Sequence, residues 1–164
     1  MYYRFGKVFY YLSLTVFIVS LMYFYAALPD KFGFTADDQG IIIQEWSKDT
    51  FFYTLLIAFL GSNLLTLILP KALETKTSSR LHRIFPIGDP YRDYILTWFY
   101  TFGAWINVNL GLAGFVVQTL NDPVGLGVDA YSLWFYLAPS LLVIWVIGLL
   151  VLLLRKINLA RQKG

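Results

Sequence analysis

Residues 133–154 read LWFYLAPSLLVIWVIGLLVLLL and run directly into Arg155 and Lys156. The stretch holds no Asp, Glu, Lys, Arg or His. At 1.5 Å per residue, a helix of roughly 20 such residues crosses the ~30 Å hydrocarbon layer of a bilayer. Pro139 lies near one end, where a kink is tolerable if neighbours satisfy the carbonyl it frees. This segment decides the fold class, and the rest of the chain repeats its logic.

Three further runs have the same character. The first extends from about Val8 to Leu28, behind Arg4 and Lys7 and ahead of Pro29 and Asp30. Tyr25-Ala26-Ala27 loosely imitates a leader-peptide cleavage site, but the run is long and Tyr25 is bulky for that role, so a membrane span is expected. Phe51 to Leu69 forms a second span, expected to stop at Pro70, whose ring opposes a helix interior. The third covers Tyr94 to Leu120 and ends at Asn121-Asp122-Pro123. Its helix should begin earlier, because Asp89 followed by Pro90 makes a good N-cap and first-turn pair. A turn or two would then project beyond the bilayer.

Composition agrees. Of 164 residues, 58% are hydrophobic, 14% charged and 19% aromatic, and the mean hydropathy is +0.61, so the polar surface of a soluble domain is missing. The formal charge of +3 does not require nucleic acid, because the excess sits in particular loops. Arg4, Lys7, Lys71, Lys76, Arg80, Arg83, Arg92, Arg155, Lys156, Arg161 and Lys163 fall on one side, and only Lys31 and Lys48 on the other. By the positive-inside rule both termini are cytoplasmic. The expected architecture is an all-α, four-helix transmembrane bundle forming one domain, with outer loops at 29–50 and 121–132 and an inner loop at 70–93. Placement in a bacterial cytoplasmic membrane is expected, with Lys71, Lys76, Arg80, Arg83, Arg92, Arg155 and Lys156 against anionic headgroups.

Chemistry-bearing residues are sparse. There is no Cys, which removes thiolate nucleophiles and thiolate metal sites, and there is one His. None of the four cores holds an ionisable Asp, Glu, Lys, Arg or His, which argues against a proton-coupled carrier. Gly103, Asn107, Gly111, Gly114 and Gln118 recur at helical spacing on the third span, and Ala58, Ser62 and Thr66 recur every four residues on the second. Small residues let backbones approach and amides can bond across the contact, so these two faces are expected to pack together or against a partner. The alternative is a lined substrate cavity. Gly111→Leu is expected to be the most damaging single change. Asn63 and Asn109 fall off the stripes and each needs its own partner in lipid.

The outer loop carries Asp37 and Asp38 before Ile41, Ile42, Ile43 and Trp46. The acids lack the alternating spacing of an EF-hand and are expected in a solvated turn, without metal. The apolar group is expected on the outer membrane interface or folded over the bundle, with peptide recognition by Asp37, Asp38 and Trp46 as the alternative. The inner loop gathers Arg80, His82, Arg83, Asp89, Arg92 and Asp93, but in no spacing that marks a catalytic site. No enzyme activity and no cofactor are expected.

Leu28-Pro29-Asp30-Lys31, then Asp37 and Gly40, then Ser47-Lys48 directly before the second span, resembles the first outer loop of a family of small bacterial membrane proteins. That loop runs Leu-Pro-Asp, a His-Phe pair, Gly, then Gly-Ser-Lys. The family is a domain of unknown function that also occurs in the immunity protein for the secreted sporulation-delaying toxin of Gram-positive bacteria. The similarity covers residues 8–60, with a continuation at Pro86 to Tyr91. Gly33, Thr35 and Ala36 stand where the family tends to have Pro, His and an aromatic residue, so no role passes to a His here. The resemblance implies toxin immunity or envelope sensing, with the outer loop meeting a peptide and the inner loop signalling. The residues themselves point first to a non-enzymatic accessory subunit of a larger membrane complex.

Overall fold

A computed structural model describes residues 2–36, 42–75, 79–121 and 132–162. Its elements are α1 (Tyr2–Ala27), β1 (Lys31–Ala36), β2 (Ile42–Ser47), α2 (Lys48–Glu74), α3 (Ser79–Ile84), α4 (Pro90–Leu120) and α5 (Ser132–Gln162). Four of these helices are long and apolar enough to cross a membrane. The protein is therefore an all-α, multi-pass membrane bundle, to which a small hairpin and one short helix are added.

α4 is the axis. Gly6 of α1 lies over Thr97, Tyr10 over Gly103 and Phe24 over Gly114, so α1 and α4 run parallel. α2 runs opposite to both, because Tyr10 meets Asn63 while Lys7 meets Glu74 farther along α2. α5 also runs opposite to α4: the Trp98 indole donates to the Trp145 carbonyl at 2.7 Å, and Lys156 near the end of α5 pairs with Asp89 just before α4. The start of α1 and the end of α5 accordingly lie at one end of the bundle.

The buried face of α1 is Gly6, Tyr10, Ser13, Phe17, Leu21 and Phe24, a stripe at steps of three and four that a single neighbouring seam can cover. On α2 the buried face is Phe51, Leu55, Phe59, Asn63, Thr66, Pro70 and Leu73. The expected α2 face therefore shifts: Ala58 is exposed and Ser62 only half-buried, and Asn63 takes the central position. An aromatic cluster of Phe17, Phe24, Phe51 and Phe59 closes one end of the bundle, with the Phe17 and Phe59 rings stacked at 4.4 Å.

Pro70 does not end the second helix. α2 continues to Glu74 with Pro70 inside it. The ring removes one backbone donor and crowds the preceding turn. The extra turn is held from outside, by Leu73 with no exposed surface and by Arg92 Nη2 donating to the Leu73 carbonyl at 2.9 Å. The start of α4 follows expectation, with Asp89 as N-cap accepting from the Tyr91 backbone N–H at 2.9 Å. Its 31 residues, at about 1.5 Å each, exceed the hydrocarbon thickness.

Between α1 and α2, β1 and β2 pair as an antiparallel hairpin, with Lys31 opposite Ser47 and Phe32 opposite Trp46. Sequence pattern missed it because the strands are short and their register shifts on either side of Thr35. The residues of the family resemblance close its base. Asp30 pairs with Lys48 at 2.6 Å, the Lys48 backbone N–H donates to the Asp30 carbonyl at 3.1 Å, and Ser47 caps α2. The Lys48 ammonium, hydrogen-bonded to Asp30, holds that exposed carboxyl below the usual carboxylate range. Phe32, 3% exposed, sits edge-on to Phe51, and half-buried Trp46 packs on the same cluster. The hairpin is thus folded over the bundle end.

Glycine packing also corrects an expectation. A Cβ on Gly114 would lie 2.4 Å from the Phe24 ring and one on Gly103 3.0 Å from the Tyr10 ring, whereas one on Gly111 meets nothing within 4 Å. A four-residue step overshoots a helical turn by about 40°, which carries Gly111 off the α1 seam. Gly114→Leu should therefore destabilise the purified protein by about 1–3 kcal/mol, the usual cost of overpacking, while Gly111→Leu leaves thermal unfolding in detergent nearly unchanged. The reverse order would refute this packing.

Candidate functional site

The centre of the bundle is a closed set of polar side chains from three helices. Asn63 Nδ2 donates to Asn107 Oδ1 at 2.8 Å, and Asn107 Nδ2 lies 3.3 Å from Asn63 Oδ1. The Tyr10 hydroxyl donates to Asn63 Oδ1 at 2.7 Å, and Asn63 Nδ2 also reaches the Phe59 carbonyl. Asn107 Nδ2 donates to Ser13 Oγ at 3.0 Å, and Ser13 donates on to the Tyr10 carbonyl. Asn107 is 1% exposed. Gly103 makes the approach possible, since Tyr10 and Thr66 occupy the space a side chain would need. The two amides spend their hydrogen-bonding capacity on one another and on α1, as a dry polar contact in lipid requires.

Toward the termini lies a charged layer. Lys7 pairs with Glu74 at 2.9 Å, and the Tyr100 hydroxyl donates to the same carboxylate at 2.9 Å. Lys71 stands 4.0 Å away, and the Lys7 ammonium lies over the Tyr100 ring. Burial of Tyr10 and Tyr100 is nearly complete. Lys7, Tyr10, Ser13, Glu74 and Tyr100 were all missed in the sequence. Lys7 reads there only as one of the basic residues that flank the first span, and spacing alone names no partner for Tyr10, Ser13, Glu74 or Tyr100.

The remaining candidates scatter. Gln118 donates to the Tyr23 hydroxyl at 3.0 Å at the exposed rim. Gly111 borders a crevice of about 450 Å³ between α1, α4 and α5, lined also by Ser20, Trp105, Phe115 and Trp134. Asn109 donates to the Trp105 carbonyl of its own helix. Thr66 donates to the Ser62 carbonyl. Arg80, Arg83 and Arg155 are exposed, Arg92 holds the end of α2, and Lys156 is paired with Asp89. Asp37, Asp38 and Lys76 lie outside the described residues.

Asn121, expected only as a helix end, clamps the hairpin. Its side-chain amide accepts from the Gly33 N–H at 2.8 Å and donates to the Gly33 carbonyl at 2.7 Å, as a neighbouring strand would. Among the described residues no three His, Cys, Asp or Glu side chains gather as a metal site needs. The protein is a small polytopic membrane protein.

Replacing Asn107 alone by Leu leaves the Asn63 amide short of partners, and that loss exceeds the worth of the bond itself. The Asn63→Leu/Asn107→Leu double variant should therefore be more stable than the two single variants predict by addition, with a coupling of about 1 kcal/mol. Strict additivity in equilibrium unfolding would contradict the lock. Comparison of the chain with family models, curated proteins and solved structures finds no match.

Proposed function

We propose that this chain is a non-enzymatic accessory subunit that works by association inside a larger complex of the bacterial cytoplasmic membrane, its termini inside. The observation that carries the reading is the asymmetry of α5. Only 6% of its most apolar stretch is buried within the chain, against a core in which α1, α2 and α4 interlock. α5 is fixed to α4 by a few directed bonds, Trp98 to Trp145 and Trp145 to Thr101. Beside it, Gly111 leaves an apolar crevice open. Small residues under an open groove are where transmembrane helices come close in lipid. The saturated amides support packing rather than a water-lined carrier path.

A second reading has its own observation. The two hairpin strands are based by Asp30–Lys48 and clamped by Asn121, at the bundle end opposite the start of α1. This supports recognition of an extracellular peptide, in line with the resemblance to toxin-immunity proteins.

One purification separates the two. Extracted in mild detergent from its native membrane, the protein should carry a stoichiometric membrane partner, and Gly111→Trp should release that partner without lowering thermal stability. A lone monomer would contradict the subunit reading. Protection against a secreted peptide toxin, lost on replacing Asp37 and Asp38, would instead favour the second.

A further inference from the structure

The end of α3, the start of α4 and the end of α5 border a groove of about 590 Å³. Three charged side chains line it, Arg83, Asp89 and Lys156, and two of them are matched to each other. Lys156 pairs with Asp89, and its ammonium also lies over the Phe85 and Tyr91 rings. Arg83 is different. It is exposed and makes no hydrogen bond or ion pair with any described residue. Two cations against one carboxylate leave the groove a net charge of +1. Arg80 and Arg155 are exposed as well but do not line it.

Much of the remaining wall is apolar, with Ile84, Pro86, Ile157 and Leu159, and Ile84 is 52% exposed and Ile157 48%. The chain fixes their depth. Ile157 and Leu159 follow Leu154, the end of the apolar run, by roughly 5–8 Å at 1.5 Å per residue, which places them in the headgroup layer beyond the hydrocarbon. Apolar side chains at that level meet water unless an amphiphile covers them. A phospholipid stands at this depth already, and its phosphate suits a guanidinium fork. Charge then selects the headgroup. With Asp89 spent on Lys156, the groove keeps no carboxylate for a headgroup ammonium, and a zwitterionic lipid would bring its cation beside Arg83 and Lys156. A phosphate diester with an uncharged alcohol matches the net charge of +1.

We propose that this groove holds one monoanionic phospholipid of the phosphatidylglycerol type, its phosphate on the Arg83 guanidinium and its upper acyl segments against Ile84 and Ile157. The site is separate from the crevice beside Gly111 and stands whether or not a partner protein is found.

The full chain, purified and partly delipidated, would be offered phosphatidylglycerol, phosphatidylethanolamine and phosphatidylcholine of identical acyl chains in equal amounts, and bound lipid counted by native mass spectrometry. One phosphatidylglycerol should be retained roughly tenfold over the other two, the margin one charge-assisted hydrogen bond supplies. Arg83→Gln should remove that preference without changing thermal unfolding of the lipid-free protein, since the side chain holds nothing else. Arg80→Gln and Arg155→Gln, which take away exposed cations outside the groove, should leave it intact. Equal retention of the three lipids would overturn the proposal, as would an unchanged preference in Arg83→Gln. Equal losses in all three variants would assign the preference to diffuse surface charge and also overturn it. Glycerophosphoglycerol, the same headgroup without chains, should compete poorly; complete displacement by it at equal concentration would assign the groove to a soluble phosphate and contradict the lipid assignment.

Discussion

An amide placed in hydrocarbon has no water to fall back on, and the reciprocal pairing of Asn63 with Asn107 is this chain's answer to that constraint. Leaving either amide without a partner costs about 2–7 kcal/mol by transfer from water. Forming a polar contact between helices in lipid returns much less, about 0.6–2 kcal/mol. The pair therefore does more to exclude wrong arrangements than to stabilise the right one. A helix order that separated α2 from α4 would leave both amides unmet, and a rotated α1 would withdraw Tyr10 and Ser13.

The rest of the bundle is arranged around that point. Gly103 admits α1 and α2 to the same stretch of α4, Gly114 admits the Phe24 ring farther along, and the phenyl rings fill the level between the amides and the hairpin. At the other end, Lys7, Glu74 and Tyr100 join the first turns of α1, the last turn of α2 and the first third of α4. α5 is outside this system, joined to α4 by its own tryptophan bonds and by the Lys156–Asp89 pair. A three-helix core with one attached helix makes different demands from a symmetric four-helix bundle: the core specifies itself, while most of the apolar stretch of α5 stays unburied by the described residues.

The four spans were legible because hydrophobic length is dictated by bilayer thickness, and Asp89-Pro90 because a cap is a local device. Pro70 was misleading because tertiary contacts at Leu73 and Glu74 outweigh a local penalty. Gly111 and Ala58 were misplaced because period-four counting on a 3.6-residue helix drifts off the true seam within two turns. Asn63 was recognised as needing a partner, but periodicity cannot name one across 44 residues of sequence. The hairpin was hidden by its shortness and by Asn121, whose role as a substitute strand depends on a contact 88 residues away.

If the two amides are locked as described, their side-chain NH₂ protons have no route to water. In lipid nanodiscs, exchange of the Asn63 and Asn107 side-chain NH₂ groups into D₂O, followed by NMR, should be as slow as that of the surrounding helix backbone. Exchange of either group at the rate of a hydrated amide would contradict the closed core and place water on the α2–α4 seam.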